Sequence, residues 1–179
     1  EAERSAGSGY SEAIAVDAAG NVGVLAWTYF DTPRLLVVKY DAQGNPLWEV
    51  GGDPVIQASP RDIAADAAGN FFATFATDPD VAVSILKLGP GGERLWTKTA
   101  GGAQGISDGG KAIAVDRLGN AHVAGTLTGL DTGPDWATLK YDPDGNLLWD
   151  ARYNGESHAG DEAVLVTAAG DGNIVVCGT

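Results

Sequence analysis

Two signals recur along this chain in the same order, with a period of about 50 residues. The first is a short apolar run closed by Asp and Gly-Asn. It reads Ala13-Ile14-Ala15-Val16-Asp17 then Gly20-Asn21, Ile63-Ala64-Ala65-Asp66 then Gly69-Asn70, and Ala112-Ile113-Ala114-Val115-Asp116 then Gly119-Asn120. A fourth copy, Ala163-Val164-Leu165-Val166-Thr167, runs into a looser turn through Gly170, Asp171, Gly172 and Asn173. The second signal follows later in each unit. Lys39-Tyr40-Asp41 leads to Leu47-Trp48, Lys87-Leu88-Gly89 to Leu95-Trp96, and Lys140-Tyr141-Asp142 to Leu148-Trp149. A unit of this size cannot bury its apolar face alone, so the copies must stack.

Each unit reads as four short strands. The first is the Ala-Ile-Ala-Val run, and the second follows Gly-Asn. The third ends at Lys39, Lys87 or Lys140, and the fourth carries Trp48, Trp96 or Trp149. Strands of this length with turn residues every 8–12 positions or so indicate an all-β sandwich or a β-propeller, and the fixed period selects the propeller with one blade per unit. The expectation is a single partial β-propeller domain over residues 1–179. It comprises about three and a half four-stranded antiparallel blades, as an open arc or part of a larger ring. The blades fall at about 11–59, 60–109 and 110–160, with a half-blade at 161–179. Glu1 to Tyr10 align with the tail of a preceding unit and would supply at most one outer strand. The first residue is not Met, which implies that it is not the translated start.

The turns follow from side-chain chemistry. The carboxylates of Asp17, Asp66 and Asp116 can accept a backbone N–H two residues on. Gly20, Gly69 and Gly119 are expected in the left-handed region that closes a hairpin with a bulge. Pro90 and Pro143 sit where a type I turn favours a fixed φ. The alanines of the first strand permit close approach near the axis, with Ile14, Ile113 and Val164 filling the space between blades. Gly101-Gly102 and Gly109-Gly110 read as joints between blades, outside the strand-to-helix context that a phosphate loop needs.

A net charge of −13 and a pI near 4.2 argue against nucleic acid or anionic membrane surfaces as partners. No apolar run approaches the roughly 18 residues of a spanning helix, and no basic-then-apolar leader opens the chain. The one cysteine, Cys177, lies in a strand and reads as an inert buried thiol.

Repetition at fixed phase makes Trp48, Trp96 and Trp149 packing residues between blades rather than sugar platforms. Trp136 aligns with Leu35 and Val83 and reads as core, whereas Trp27 aligns with Ala76 and Thr126 and is the surface-contact candidate. Asp142-Pro143-Asp144-Gly145-Asn146 resembles a fragment of a calcium loop but lacks the bidentate Glu. The same slot holds Asp41-Ala42-Gln43-Gly44-Asn45, so a hairpin turn accounts for both. Asp31, Asp78, Asp80, Asp131 and Asp135 are placed in loops between second and third strands, where solvated charge is the default reading and a gathered cation such as calcium the alternative. His122 and His158 share no ligand spacing with Cys177, so no zinc set forms. No nucleophile elbow is present. Carboxylate pairs suited to a glycosidase arise freely among 24 acidic residues. No catalytic, cofactor-binding or metal residues are assigned.

On the third unit above all, with Ile113-Ala114-Val115-Asp116, Gly119-Asn120, Val123-Ala124-Gly125, Lys140-Tyr141-Asp142, Gly145-Asn146 and Leu148-Trp149, the chain resembles the bacterial β-propeller repeat family known as SBBP. The first unit departs at Ala26 and the second at Phe75, where that family tends to have Gly. The resemblance implies a secreted, periplasmic or cell-surface bacterial protein and brings no family-wide catalytic residues. The leading functional expectation is a non-catalytic scaffold or binding module. Its partners would be proteins, glycans, or the remainder of a longer chain that covers the open blade edges. The alternatives are a structural subunit of a larger assembly and a carboxylate-based glycan-active enzyme.

Overall fold

A computed structural model describes residues 9–29, 33–51, 58–77, 82–101, 109–129, 133–155, 161–170 and 172–179. Fourteen strands form among them, and no helix long and apolar enough to cross a membrane. The first blade is β1 (Gly9–Val16), β2 (Val22–Tyr29), β3 (Pro33–Tyr40) and β4 (Pro46–Gly51). The second is β5 (Ala58–Ala65), β6 (Phe71–Thr77), β7 (Ala82–Leu88) and β8 (Arg94–Gly101). The third is β9 (Gly109–Val115), β10 (Ala121–Gly129), β11 (Gly133–Tyr141) and β12 (Leu147–Tyr153). A two-stranded sheet, β13 (Ala163–Ala168) and β14 (Ile174–Gly178), follows. Each sheet is an antiparallel meander in chain order, and the first strands β1, β5, β9 and β13 lie side by side.

The hairpin turns share one geometry. In the first, Asp17 N–H donates to the Asn21 carbonyl at 2.9 Å and Gly20 N–H to the Asp17 carbonyl at 3.0 Å. Asp17 Oδ1 accepts from the N–H of Ala19 and of Asn21, and Oδ2 from the Asn21 amide at 2.8 Å. The carboxylate thus serves donors that the ladder leaves over. The same set recurs at Asp66/Asn70 and Asp116/Asn120, and in the β3–β4 and β11–β12 turns at Asp41/Asn45 and Asp142/Asn146. Gly20, Gly69 and Gly119 stand at φ +83°, +82° and +80°, where a side chain would be strained.

Two bulges also repeat, and the sequence pattern does not announce them. In the first strand one extra residue stands opposite the second strand: Glu12, Arg61, Lys111 and Val164 in turn. In the fourth strand it is Leu47, Leu95 and Leu148. A bulged residue leaves the pleat, which is why these three leucines are exposed, two of them beside the half-buried Trp48 and Trp96. The first bulge corrects the placement of Val164. The fourth hairpin closes between Ala169 and Asn173, so the residue that fills the space between blades is Val166, and Val164 faces solvent.

Other placements differ from expectation. Gly109 and Gly110 lie within β9 rather than in a joint, paired with Thr126 and Gly125, and a Cβ on Gly110 would overlap Thr74 of the second blade. Gly9 and Tyr10 belong to the innermost strand β1, not to an outer strand. Asp135 is buried within β11 rather than in a loop. Asp31, Asp78, Asp80, Asp131 and His158 lie outside the described residues.

The core sits between blades. Leu25, Leu35 and Val37 of the first blade pack on Ile63, Phe71, Leu86 and Leu88 of the second. Phe72, Val83 and Ile85 of the second pack on Ile113, Ala121, Leu139 and Tyr141 of the third. Ala112 and Ala124 of the third meet Ala163 and Val166 of the fourth unit. The second blade lies between two complete blades, and β7 is buried throughout.

Candidate functional site

Each complete blade turns one row of side chains toward its successor, taken in register from the second, third and fourth strands. The rows are Gly23-Lys39-Trp48, Phe72-Lys87-Trp96 and His122-Lys140-Trp149. Sizes are matched across the junctions. A Cβ on Gly23 would overlap the Phe71 ring, so the absent side chain makes room for it. At the next junction the large residue, Phe72, is on the near side and Ala121 faces it.

The tryptophans clamp the following blade by its second turn. Trp48 Nε1–H donates to the Pro90 carbonyl at 2.8 Å and Trp96 Nε1–H to the Pro143 carbonyl at 3.0 Å. Trp48 meets Phe71 edge-on, and Trp96 lies 6.4 Å from the Tyr141 ring. Trp149 stands in the same register but is not largely buried. It is 38% exposed and its ring meets His122 of its own blade at 6.1 Å. The corresponding turn would join third and fourth strands of the fourth unit, of which the sequence spans two. For the same reason Cys177 is exposed rather than buried. It shares with Leu165 and Val175 the far face of β13–β14, against which no blade packs among the described residues. Trp27 is half-buried against Tyr10, with ring centroids 6.1 Å apart.

Lys39 and Lys87 are buried, Lys140 is half-buried, and all three are partnered. Lys39 Nζ lies 3.1 Å from Asp17 Oδ2 and 5.1 Å from the centre of the Phe71 ring. Lys87 Nζ donates to the Pro143 carbonyl at 2.8 Å and lies 5.0 Å from the Phe72 ring. Lys140 Nζ is 3.3 Å from Asp116 Oδ2, which also accepts from His122 Nε2 at 3.1 Å. Burial alone would raise the Asp116 carboxyl. Hydrogen bonds from Asn120, His122 and Lys140 outweigh it and hold the group well below the ordinary carboxylate range. Asp17 is lowered in the same way, against burial, by Asn21, Lys39 and Ala19. Burial pushes His122 down despite its bond to Asp116. The ring is 1% exposed, and its Nδ1 has no partner among the described residues. Asp62 is raised by burial, with its two oxygens accepting from Ile113 N–H and Ile63 N–H.

Three hollows follow the junctions. A groove of about 170 Å³ lies among Asp17, Lys39, Gly69 and Pro90, and one of about 270 Å³ among Asp66, Lys87, Arg117 and Pro143. The third, about 230 Å³ and mostly apolar, is bounded by Trp136, Thr138, Arg152, Tyr153 and Val176. Trp136 is half-buried there, edge-to-face with Tyr153, and its Nε1 is buried without a partner among the described residues. No group of three or more metal-ligating side chains gathers among the described residues. The sequence marked the lysines as repeat signals but did not show that Lys87 bonds the next blade and that Lys39 sits over its Phe71 ring. The one available sign was their fixed phase with Trp.

Solved structures that share this arrangement define the class: the chain is a β-propeller module. It is similar to the β-propeller domain of the Trilobed protease from Pyrococcus furiosus (TM-score 0.55, 8% identity, covering 87% of this chain and 45% of that one). It is also similar to regucalcin, a calcium-binding protein from Agrobacterium tumefaciens (TM-score 0.52, 16% identity, 94% and 52%). A eukaryotic initiation factor matches at TM-score 0.57 and 12% identity, over 83% of this chain and 33% of that one. The chain thus spans between a third and about half of the length of these proteins. No protein-family model matches it, and no curated protein does.

Proposed function

We propose that this chain is a non-catalytic propeller scaffold that presents blade faces and turns to macromolecular partners, in a secreted, periplasmic or cell-surface bacterial protein of the SBBP repeat type. One observation carries the reading. The polar residues that the repeat multiplies are spent on architecture. Five Asp-Asn pairs close hairpins, Lys39 and Lys140 pair with turn carboxylates of their own blades, and Lys87 and two of the repeated tryptophans bond one blade to its neighbour. A scaffold of stacked repeats varies its turns at little cost to the core, and the net charge of −13 suits a hydrated extracellular surface.

The test pairs binding with turnover. The intact chain is applied to a glycan array and incubated with a polysaccharide panel, with and without calcium, while products are followed by mass spectrometry. Saturable binding without product is the expected result. Product formation that scales with protein and disappears on replacing a buried carboxylate such as Asp62 would overturn it.

A further inference from the structure

The first and third blades close one pair of charges that the second leaves open. Lys39 Nζ lies 3.1 Å from Asp17 Oδ2, and Lys140 Nζ 3.3 Å from Asp116 Oδ2. The equivalent Lys87 and Asp66 form no ion pair among the described residues. The second-strand residue beside the lysine accounts for the difference. It is Gly23 in the first blade and His122, itself bonded to Asp116, in the third. In the second it is Phe72, and Lys87 Nζ sits 5.0 Å from that ring and donates to the Pro143 carbonyl at 2.8 Å. Lys87 is 5% exposed, and a buried cation without a counter-charge is costly. Asp66 keeps its turn bonds to Ala68 and Asn70 but lacks the cation that Asp17 and Asp116 hold.

Both groups line the groove of about 270 Å³ between the second and third blades, wider than the 170 Å³ of its first-junction counterpart. The groove departs from the repeat once more. Where earlier turns carry Ala18-Ala19 and Ala67-Ala68, the third carries Arg117-Leu118. Leu118 is 79% exposed. Arg117 lines the groove, and its guanidinium lies beside Gly170 with no hydrogen bond or ion pair among the described residues. An exposed side chain of this kind reorients within nanoseconds.

Deepening the scaffold reading, on which it rests, we propose that this groove binds a sugar acid, a hexuronate unit of an otherwise uncharged glycan. The Arg117 fork takes the carboxylate in the field of the uncompensated Lys87. Asp66 Oδ2, one cation short of its counterparts, accepts a sugar hydroxyl. Leu118 and the Pro143 ring flank the apolar C–H face. Mixed sign selects this ligand. Asp66 repels a phosphate dianion, and the net charge of −13 disfavours a dense polyanion. One carboxylate set among hydroxyls remains.

The probe is methyl α-galacturonide, titrated into the intact isotope-labelled chain and followed by NMR. The expected result is saturable shifts of the amides of Asn70, Leu118 and Gly119, with a Kd of about 1 mM for a ligand of this size. The first groove, where Asp17 and Lys39 are paired, should not respond. Arg117→Ala should weaken binding about tenfold or more and leave the fold intact, since the repeat itself places Ala there twice. Leu118→Ala should weaken it less. Absence of saturable shifts at this groove, or equal binding by the Arg117→Ala chain, would overturn the proposal. So would equal binding of neutral methyl α-galactoside, of acetate or inorganic phosphate, or of free glutamate, which would make the groove a general sugar, simple-anion or amino-acid site. Mass spectrometry of the same samples keeps the two readings apart. Conversion of the galacturonide would overturn the scaffold reading, whereas lack of binding would overturn this inference alone.

Discussion

Gly23 shows how one atom's absence organises a junction. The Phe71 ring occupies the volume a side chain there would need, and packing at interior density leaves no slack for it. Gly23→Val should cost about 1–3 kcal/mol in a denaturant titration. Gly23→Val combined with Phe71→Ala should cost less than the sum of the two, because they compete for the same space. At the third row the same position holds His122, buried and bonded to Asp116. Its folded pKa is depressed from 6.5 by burial. The neutral ring's contribution is therefore present above 6.5 and is lost as pH falls through the folded value. Asp17 and Asp116, lowered from 3.8, contribute above that value and lose their contribution at more acidic pH. Unfolding midpoints across a pH series should thus fall in two stages on acidification. His122→Phe should flatten the upper stage and also shrink the lower one, because His122 is one of the donors that hold Asp116 down.

Turns and bulges are the elements that set register, and they differ in how visibly they are written. Asp, Gly and Asn at fixed spacing state the turn outright, because each performs a separate task there: acceptor, left-handed backbone, amide donor. The hairpins and the four-strand unit were therefore legible from residue types alone. A bulge is a two-against-one pairing between strands, and nothing local in Glu12, Arg61, Lys111 or Val164 reveals it. The fourth unit reads two residues out of phase at Val164 because Ala169 stands where the other units have the turn Asp. The tryptophans were legible as inter-blade residues, but exposure of Trp149 depends on what lies beyond its blade, which its own pattern does not encode. The turns also differ in worth. Asp116 bonds a buried His and a Lys besides its turn, whereas Asp142 serves its turn alone. Asp116→Ala should cost about 2–4 kcal/mol, since it strands buried donors, and Asp142→Ala much less. Thermal denaturation of the two variants gives the comparison.

Across the whole molecule, equivalent residues carry unequal weight. Ile14, Ile63 and Ile113 occupy one repeat position, yet Ile14 is 66% exposed and the other two are 4% exposed each. Ile63→Ala and Ile113→Ala should each cost about 2–4 kcal/mol as large-to-small core changes. Ile14→Ala should be near neutral by chemical denaturation. A comparable loss at Ile14 would mean that its face is covered in solution. The two uncovered faces are moreover unlike. The first blade presents the side that elsewhere receives a tryptophan clamp, carrying Ile14 and Val16. The far end presents Leu165, Val175 and Cys177 beside an open strand edge. The arc therefore has a direction, like a staircase with distinct top and bottom treads. Copies or further blades that continue the stack must join head to tail. Whether such growth closes or runs on is then set by the rotation from each blade to the next.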